Sequence, residues 1–166
     1  MEHERDKSSG ATGRRGVPAT SHPGPLATIE RVYVAASALE IDRAEQAIAD
    51  LERRDIAVTS TWTINVRNVG ASNPREASNY DRARWASTCL DEVRHSDLLW
   101  FLVPAMGAPT RGAWVELGYA IARGMTIVLS GDTRQSIFSA LGVEMLADIE
   151  ALELIARIAD RAEVER

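Results

Sequence analysis

The order of apolar segments along the chain predicts a doubly wound α/β sandwich on a mostly parallel sheet of four to five strands. Three observations carry that prediction. Short runs of β-branched and aromatic residues alternate with stretches of helical periodicity. Two of the runs, 97–103 and 125–129, are apolar almost throughout, as strands covered on both faces must be. At 166 residues, with 45% apolar and 26% charged side chains, the chain is the size of one domain with a substantial core.

The elements follow in order. Residues 1–27 hold Ser8-Ser9-Gly10, Gly13, Gly16, Pro18, Pro23 and Pro25 but almost no large apolar side chain. Such a segment buries too little to offset its ordering entropy, so a flexible tail is expected there and a single domain over 28–166. Arg31-Val32-Tyr33-Val34-Ala35 is the first strand. Ile41, Ala44, Ile48 and Leu51 then recur at helical spacing between Glu40 and Arg54. A second strand is expected over 56–62, followed by a polar loop from Asn65 to Ser78 around Gly70, Asn73 and Pro74, long enough to suggest function. A helix from about Asn79 to His95 places Ala86, Cys89, Leu90 and Val93 on one face. The third strand, 97–103, leads through a loop at 104–110 into a helix over 112–123 that Gly124 stops. The fourth strand is 125–129, then come a Ser130-Gly131-Asp132 turn, a short helix over 135–141 and a last helix from about Leu146 to Arg161.

Composition removes several classes of function. A net charge of -5 without a basic stripe argues against a nucleic-acid partner. Lys7 is the only lysine, which leaves no Schiff-base or P-loop lysine for the domain. Cys89 is the only cysteine and His95 the only histidine beyond the expected tail, so disulfides, thiolate clusters and a histidine-rich metal site are not available. No apolar run has the length of a membrane span, and no hydrophobic segment follows Arg14-Arg15 as a secretory signal would require. The turn after the first strand, Ala35-Ala36-Ser37-Ala38, lacks the glycines a dinucleotide pyrophosphate needs. The expectation is a cytoplasmic protein acting on a small molecule, without membrane or nucleic acid.

The candidate chemistry lies at strand ends. Open α/β sheets bind ligands outside the carboxyl ends of their strands. There the sequence offers Tyr33 and Ser37, Thr110 and Glu116, and Ser130 and Asp132. Glu116 stands out as a carboxylate inside an otherwise apolar helix, where it must be paired, exposed or functional. Thr110, Arg111 and the amide of Gly112 precede that helix and make a natural phosphate site, although Thr110 also fits as a simple helix cap. Trp62 and Asn65, beside the polar loop, are further candidate ligand contacts, an aromatic face and an amide edge. Trp85, Trp100 and Trp114 read as packing or interface residues, and Asp97 as a turn or cap residue.

Val32-Tyr33-Val34-Ala35-Ala36-Ser37, with Glu116-Leu117-Gly118-Tyr119-Ala120 and Arg123-Gly124, resembles the nucleoside 2-deoxyribosyltransferase superfamily, which includes the 2′-deoxynucleoside 5′-phosphate N-hydrolases. The resemblance runs from the first strand to about Leu141. It implies a flavodoxin-like fold and N-glycosidic bond cleavage in which Glu116 attacks the anomeric carbon and Tyr33 fixes its rotamer. A hydroxyl residue at Thr110, six before Glu116, resembles the nucleotide hydrolases, where the transferases carry an aspartate. Ser37 matches a phosphate-contacting serine, and Ser139 a serine that reaches a neighbouring subunit's site, so a homodimer or higher oligomer is implied. No metal or organic cofactor is implied.

Two positions depart from the pattern. The family's helix-two aspartate is replaced by Cys89, which by itself reads as a small core residue, and Asp91 should point elsewhere. An arginine two residues after Ser37 is replaced by Leu39, with Arg111 or Arg43 as possible substitutes. The reading is cleavage of a nucleoside 5′-monophosphate, 2′-deoxy, with three alternatives: base exchange between nucleosides, cleavage of NAD, and a nucleotide-binding sensor without turnover.

Overall fold

In a computed structural model, residues 29–69, 77–106, 108 and 110–164 are described; the expected tail lies outside them, as do Gly70, Asn73 and Pro74. Five strands pair in the order β2-β1-β3-β4-β5, every pair parallel: β1 (Arg31–Ala35), β2 (Ala57–Val58), β3 (Leu98–Leu102), β4 (Thr126–Ser130) and β5 (Val143–Met145). The helices are α1 (Ile41–Glu52), α2 (Trp62–Val69), α3 (Asn79–Arg94), α4 (Arg111–Ala122) and α5 (Asp148–Val164). Helices α1 and α5 meet on one face of the sheet, and α3 and α4 on the other, as in a flavodoxin-like fold. No helix among the described residues is long and apolar enough to cross a membrane.

The central strand explains the layering. All five side chains of β3 are buried, and they alternate between the two helical layers. The Trp100 indole donates to Ser130 Oγ at 3.0 Å, which in turn donates to Asp148 Oδ1 at the start of α5 at 2.6 Å. Phe101 points the other way and packs on Trp114 of α4, ring centroids 4.8 Å apart. In parallel register Tyr33 sits beside Leu99, and Ala35 beside Phe101, so Tyr33 faces the α3–α4 layer. Burying each large apolar side chain of this kind contributes about 1.5–3 kcal/mol.

Helix ends are closed by local chemistry. At the end of α1, Asp55 adopts φ 58° and the Ile56 amide reaches back to Leu51 O at 3.1 Å. At the end of α4, Gly124 (φ +67°) lets the Met125 amide bond Ala120 O at 3.1 Å. Both are Schellman closures, one using glycine and one the tolerant aspartate. Asp97, expected as a turn or cap residue, accepts from the Arg31 amide at 2.9 Å and the Glu30 amide at 3.1 Å, fixing the start of β1 from across the sheet.

The structure corrects several expected boundaries. The second strand is Ala57–Val58, not 56–62, because Ser60 ends it: its hydroxyl accepts from the Val34 amide (2.6 Å) and donates to the Val34 carbonyl (3.2 Å). The backbone groups that a longer β2 would have paired are thereby taken by a side chain. The chain then turns into α2, so Asn65 lies on a helix rather than in a loop. The expected helix over 135–141 is two 3₁₀ turns, Thr133–Gln135 and Ile137–Leu141. Of the five strands, β5 is the one without an apolar run of its own to announce it. It is held close to β4 by Gly142, where an added Cβ would lie 2.7 Å from Ile127 Cγ2.

Candidate active site

The order of the sheet fixes where a crevice opens. The chain leaves β1 toward β2 on one side, while β3 pairs on the other side of β1, so the β1/β3 boundary is the topological switch point. Tyr33 lies on β1 and Thr110 starts the helix that follows β3, placing both at this boundary.

Three side chains from three elements come together at this boundary. Helix α4 buries Ala113, Leu117 and Ala120, which recur at helical spacing, and Glu116 sits at the border of that face, half-buried. Helix α3 is capped by Ser78, whose hydroxyl accepts from the Asp81 amide at 3.1 Å; only Val93 is fully buried along it, and Cys89 is half-buried one turn earlier. Tyr33 is fully buried from β1. The Glu116 carboxyl, the Cys89 thiol and the Tyr33 hydroxyl lie within reach of one another. The Tyr33 hydroxyl nonetheless completes no well-formed hydrogen bond with a described residue. A buried hydroxyl left in that condition costs the fold about 1–3 kcal/mol, so it marks a place where a ligand or water has something to do.

The electrostatics single out Glu116. Burial disfavours its charge and, aided by the negative charge of Glu92, pushes its pKa up to about 7 against the opposing hydrogen-bonding influence of Tyr33 and Cys89. The other two stay neutral: burial and the nearby Glu116 raise the Tyr33 phenol well above its ordinary value and push the Cys89 thiol up to about 12. The result is one carboxyl group poised to ionise near neutrality, beside two neutral potential donors.

Sequence reasoning missed Glu92. It lies one helical turn after Cys89 on α3 and accepts from both the Thr61 amide (3.3 Å) and the Thr61 hydroxyl. Burial raises its pKa, with the Thr61 contacts opposing. The Cys89–Glu92 spacing of three was the available signal. Asp91 points away, as expected, and pairs with Arg94 at 2.6 Å on the exposed side.

The other predicted residues divide. Thr110 precedes α4 but its side chain makes no cap hydrogen bond, and its hydroxyl is buried without a partner among the described residues. Arg111 is exposed and makes no ion pair with a described residue; Gly112 follows it, exposed, in the first turn. Ser37 is buried after β1 and accepts from the Leu39 amide at 3.2 Å. Ser139, in the second 3₁₀ turn, is also buried, and its hydroxyl has no partner among the described residues. Trp62 is buried with its indole N–H on Val34 O at 2.9 Å, which fixes its ring beside β1. Asn65 is half-buried on α2.

Arg43 is not available as the substitute for the missing arginine. It clasps Asp148 with two bonds of 2.7 Å, and donates to Val103 O (2.8 Å) and Ser130 O (3.2 Å), all on the α1–α5 side. Ser130 is part of the same network, and Asp132 pairs with Arg134 at 2.8 Å.

No family model matches the chain, and no curated protein matches it. Among solved structures, that of the CMP N-glycosidase BcmB of Clostridium botulinum is similar to it, with 19% sequence identity, a match covering 75% of this chain and 97% of the other, and a TM-score of 0.47.

Proposed function

We propose that the protein is an enzyme that cleaves the N-glycosidic bond of a nucleoside 5′-monophosphate, preferentially the 2′-deoxy form, by double displacement at Glu116. The observation that carries this reading is the cluster itself: a carboxyl group ionising at about 7, half-buried at the switch point, beside a buried tyrosine hydroxyl with no completed hydrogen bond.

A carboxylate suits this reaction because the transition state is oxocarbenium-like, and an anion on the face opposite the departing base stabilises it. A Glu116 oxygen forms a bond to the anomeric carbon while the carbon–nitrogen bond breaks. The base leaves with that electron pair and takes up a proton. Water then attacks the same carbon, the glycosyl ester breaks, and the Glu116 carboxylate is restored as the water's second proton is lost. In the reacting complex the open Tyr33 hydroxyl would turn to donate to the carboxylate and hold its rotamer. A deoxy sugar needs less assistance, since no 2′-hydroxyl withdraws electron density from the developing cation.

The phosphate fits the start of α4. The Thr110 hydroxyl, without a partner among the described residues, the Arg111 guanidinium and the first-turn amide of Gly112 are successive donors for an anion. Ser37, buried just after β1, is the candidate phosphate contact from that strand. Trp62 and Asn65 remain the candidates for the base, and Ser139 for a contact made across a subunit boundary.

The test is incubation with a panel of nucleosides and their 5′-monophosphates, with and without a second free base, followed by chromatography of the released base. Release from monophosphates, reduced about 1,000-fold or more in Glu116→Gln, is the expected result. Exchange of label into the added base would assign a transferase instead. Turnover unaffected by Glu116→Gln, or no release from any member of the panel, would overturn the proposal.

A further inference from the structure

We propose that Glu92 is a positioning residue: through Thr61 it fixes the ring of Trp62, and with it the wall against which a substrate's base is held. The inference rests on the reading of Trp62 as a base contact. It gives a role to a half-buried carboxylate that the double displacement at Glu116 leaves unused.

The geometry follows from the shortness of β2. That strand ends at Val58, opposite Val32, so the rest of β1 has no strand beside it on that side. Side chains take over. Ser60 Oγ accepts from the Val34 amide at 2.6 Å and donates to the Val34 carbonyl at 3.2 Å, and the Trp62 indole donates to the same carbonyl at 2.9 Å. Thr61, between them, turns to α3 instead. Its amide (3.3 Å) and its hydroxyl donate to the two oxygens of the Glu92 carboxylate. One turn further along α3, the Ser96 hydroxyl lies 2.7 Å from that of Thr59. The same helix therefore holds the residues on both flanks of Ser60.

A carboxylate suits this place because it accepts twice from one residue. Bonds to a charged acceptor are stronger than neutral ones, and a pair made to both amide and hydroxyl fixes backbone and side chain together. The ion pairs along α3 are made by Asp81 with Arg84 and by Asp91 with Arg94, so Glu92 is left to Thr61. The indole N–H tethers one point of the Trp62 ring to β1, and a ring held at one point still rocks. Fixing the residue immediately before it removes that freedom at the start of α2. A base lying on the ring is placed correctly for cleavage only if the ring is fixed. Once the base has left, hydrolysis of the glycosyl ester no longer depends on that wall, so Glu92 acts on the capture of substrate and not on the second displacement.

The test has a readout independent of turnover. In the full chain, exchange of the Trp62 indole proton with deuterium is followed by NMR, the resonance being assigned with Trp62→Phe, for wild type, Glu92→Ala, Glu92→Gln and Asp91→Ala. Glu92→Ala is expected to speed this exchange about 10-fold and to lower kcat/KM about 10-fold, chiefly through KM, for the monophosphate turned over best. Glu92→Gln, which keeps one acceptor for the Thr61 hydroxyl, is expected to return both to within about threefold of wild type, and Asp91→Ala, on the exposed side of α3, to leave both unchanged. Unchanged indole exchange in Glu92→Ala would overturn the proposal. So would Glu92→Gln behaving like Glu92→Ala, or faster exchange with KM unmoved. Faster exchange in Glu92→Ala, rescued by Glu92→Gln, without base release by wild type from any substrate would sink the glycosidase reading while leaving the coupling of Glu92 to Trp62 standing.

Discussion

A carboxyl group that ionises near neutrality inside a fold is a liability to that fold, and Glu116 should show it. Its ordinary pKa is 4.5 and its folded-state pKa about 7. Below pH 4.5 the group is protonated in both states and costs nothing. Between the two values the unfolded chain releases its proton while the folded chain keeps it, so stability falls as pH rises, and it levels off above about 7. Glu116→Gln removes this loss. The expected outcome is a variant no more stable than wild type at pH 4 but about 1–3 kcal/mol more stable at pH 8, read by urea denaturation at both values. Such a gain, together with lost turnover, is the signature of a group kept for chemistry at the expense of stability. Equal stability at pH 8 would mean that Glu116 is hydrated and ionises as an ordinary surface carboxylate does.

At the scale of elements, Arg43 does for the fold what Glu116 does against it. From α1 it joins the carbonyl of Val103 just after β3, the carbonyl of Ser130 at the end of β4, and the side chain that opens α5. Burial opposes the charge of Asp148, but the Arg43 and Ser130 contacts outweigh it and hold the carboxyl below its usual range. The sign is therefore the reverse of Glu116: this contribution is present above the ordinary aspartate pKa and is lost as pH falls through the lowered one. Arg43→Ala is expected to cost about 2–3 kcal/mol at pH 7 by urea denaturation, and less than half that at pH 2. A loss that did not depend on pH would point to packing of the arginine stem instead. The same network shows what the sequence makes legible. Strands β1, β3 and β4 could be read because their apolar runs are set by burial on both faces, and α4 because its inward residues and Gly124 are local signals. The end of β2 could not, since Ser60 takes the Val34 hydrogen bonds across 26 positions of sequence. Nor could the pairing of Arg43 with Asp148, which spans 105. Glu116 and Tyr33 were legible as candidates through their surrounding residues, while Glu92 meets the site only because α3 packs on α4 and Thr61.

For the whole molecule, the unfinished part of the surface lies at the β5 edge. Ile137 (84% exposed), Phe138 (56%), Leu141 (55%), Val143 (47%) and Leu146 (84%) follow one another through the second 3₁₀ turn, β5 and the approach to α5. An edge strand bordered by this much open apolar surface invites association unless something covers it. The Arg134–Asp132 pair and the Thr133–Glu144 hydrogen bond (2.7 Å) supply the polar rim such an interface needs. A second copy is the occupant that suits it: an apolar patch of this kind can be complementary to itself under two-fold rotation. The expected state in solution is a homodimer by sedimentation at micromolar concentration, and Ile137→Asp with Leu146→Asp should convert it to a monomer. Because both side chains are exposed in the single chain, the monomer should keep its thermal midpoint to within about 2 °C of wild type, once dimer dissociation is allowed for. If the wild-type chain sediments as a monomer, or the double variant remains dimeric, the β5 edge is not the interface, and the exposed apolar residues there serve some other contact.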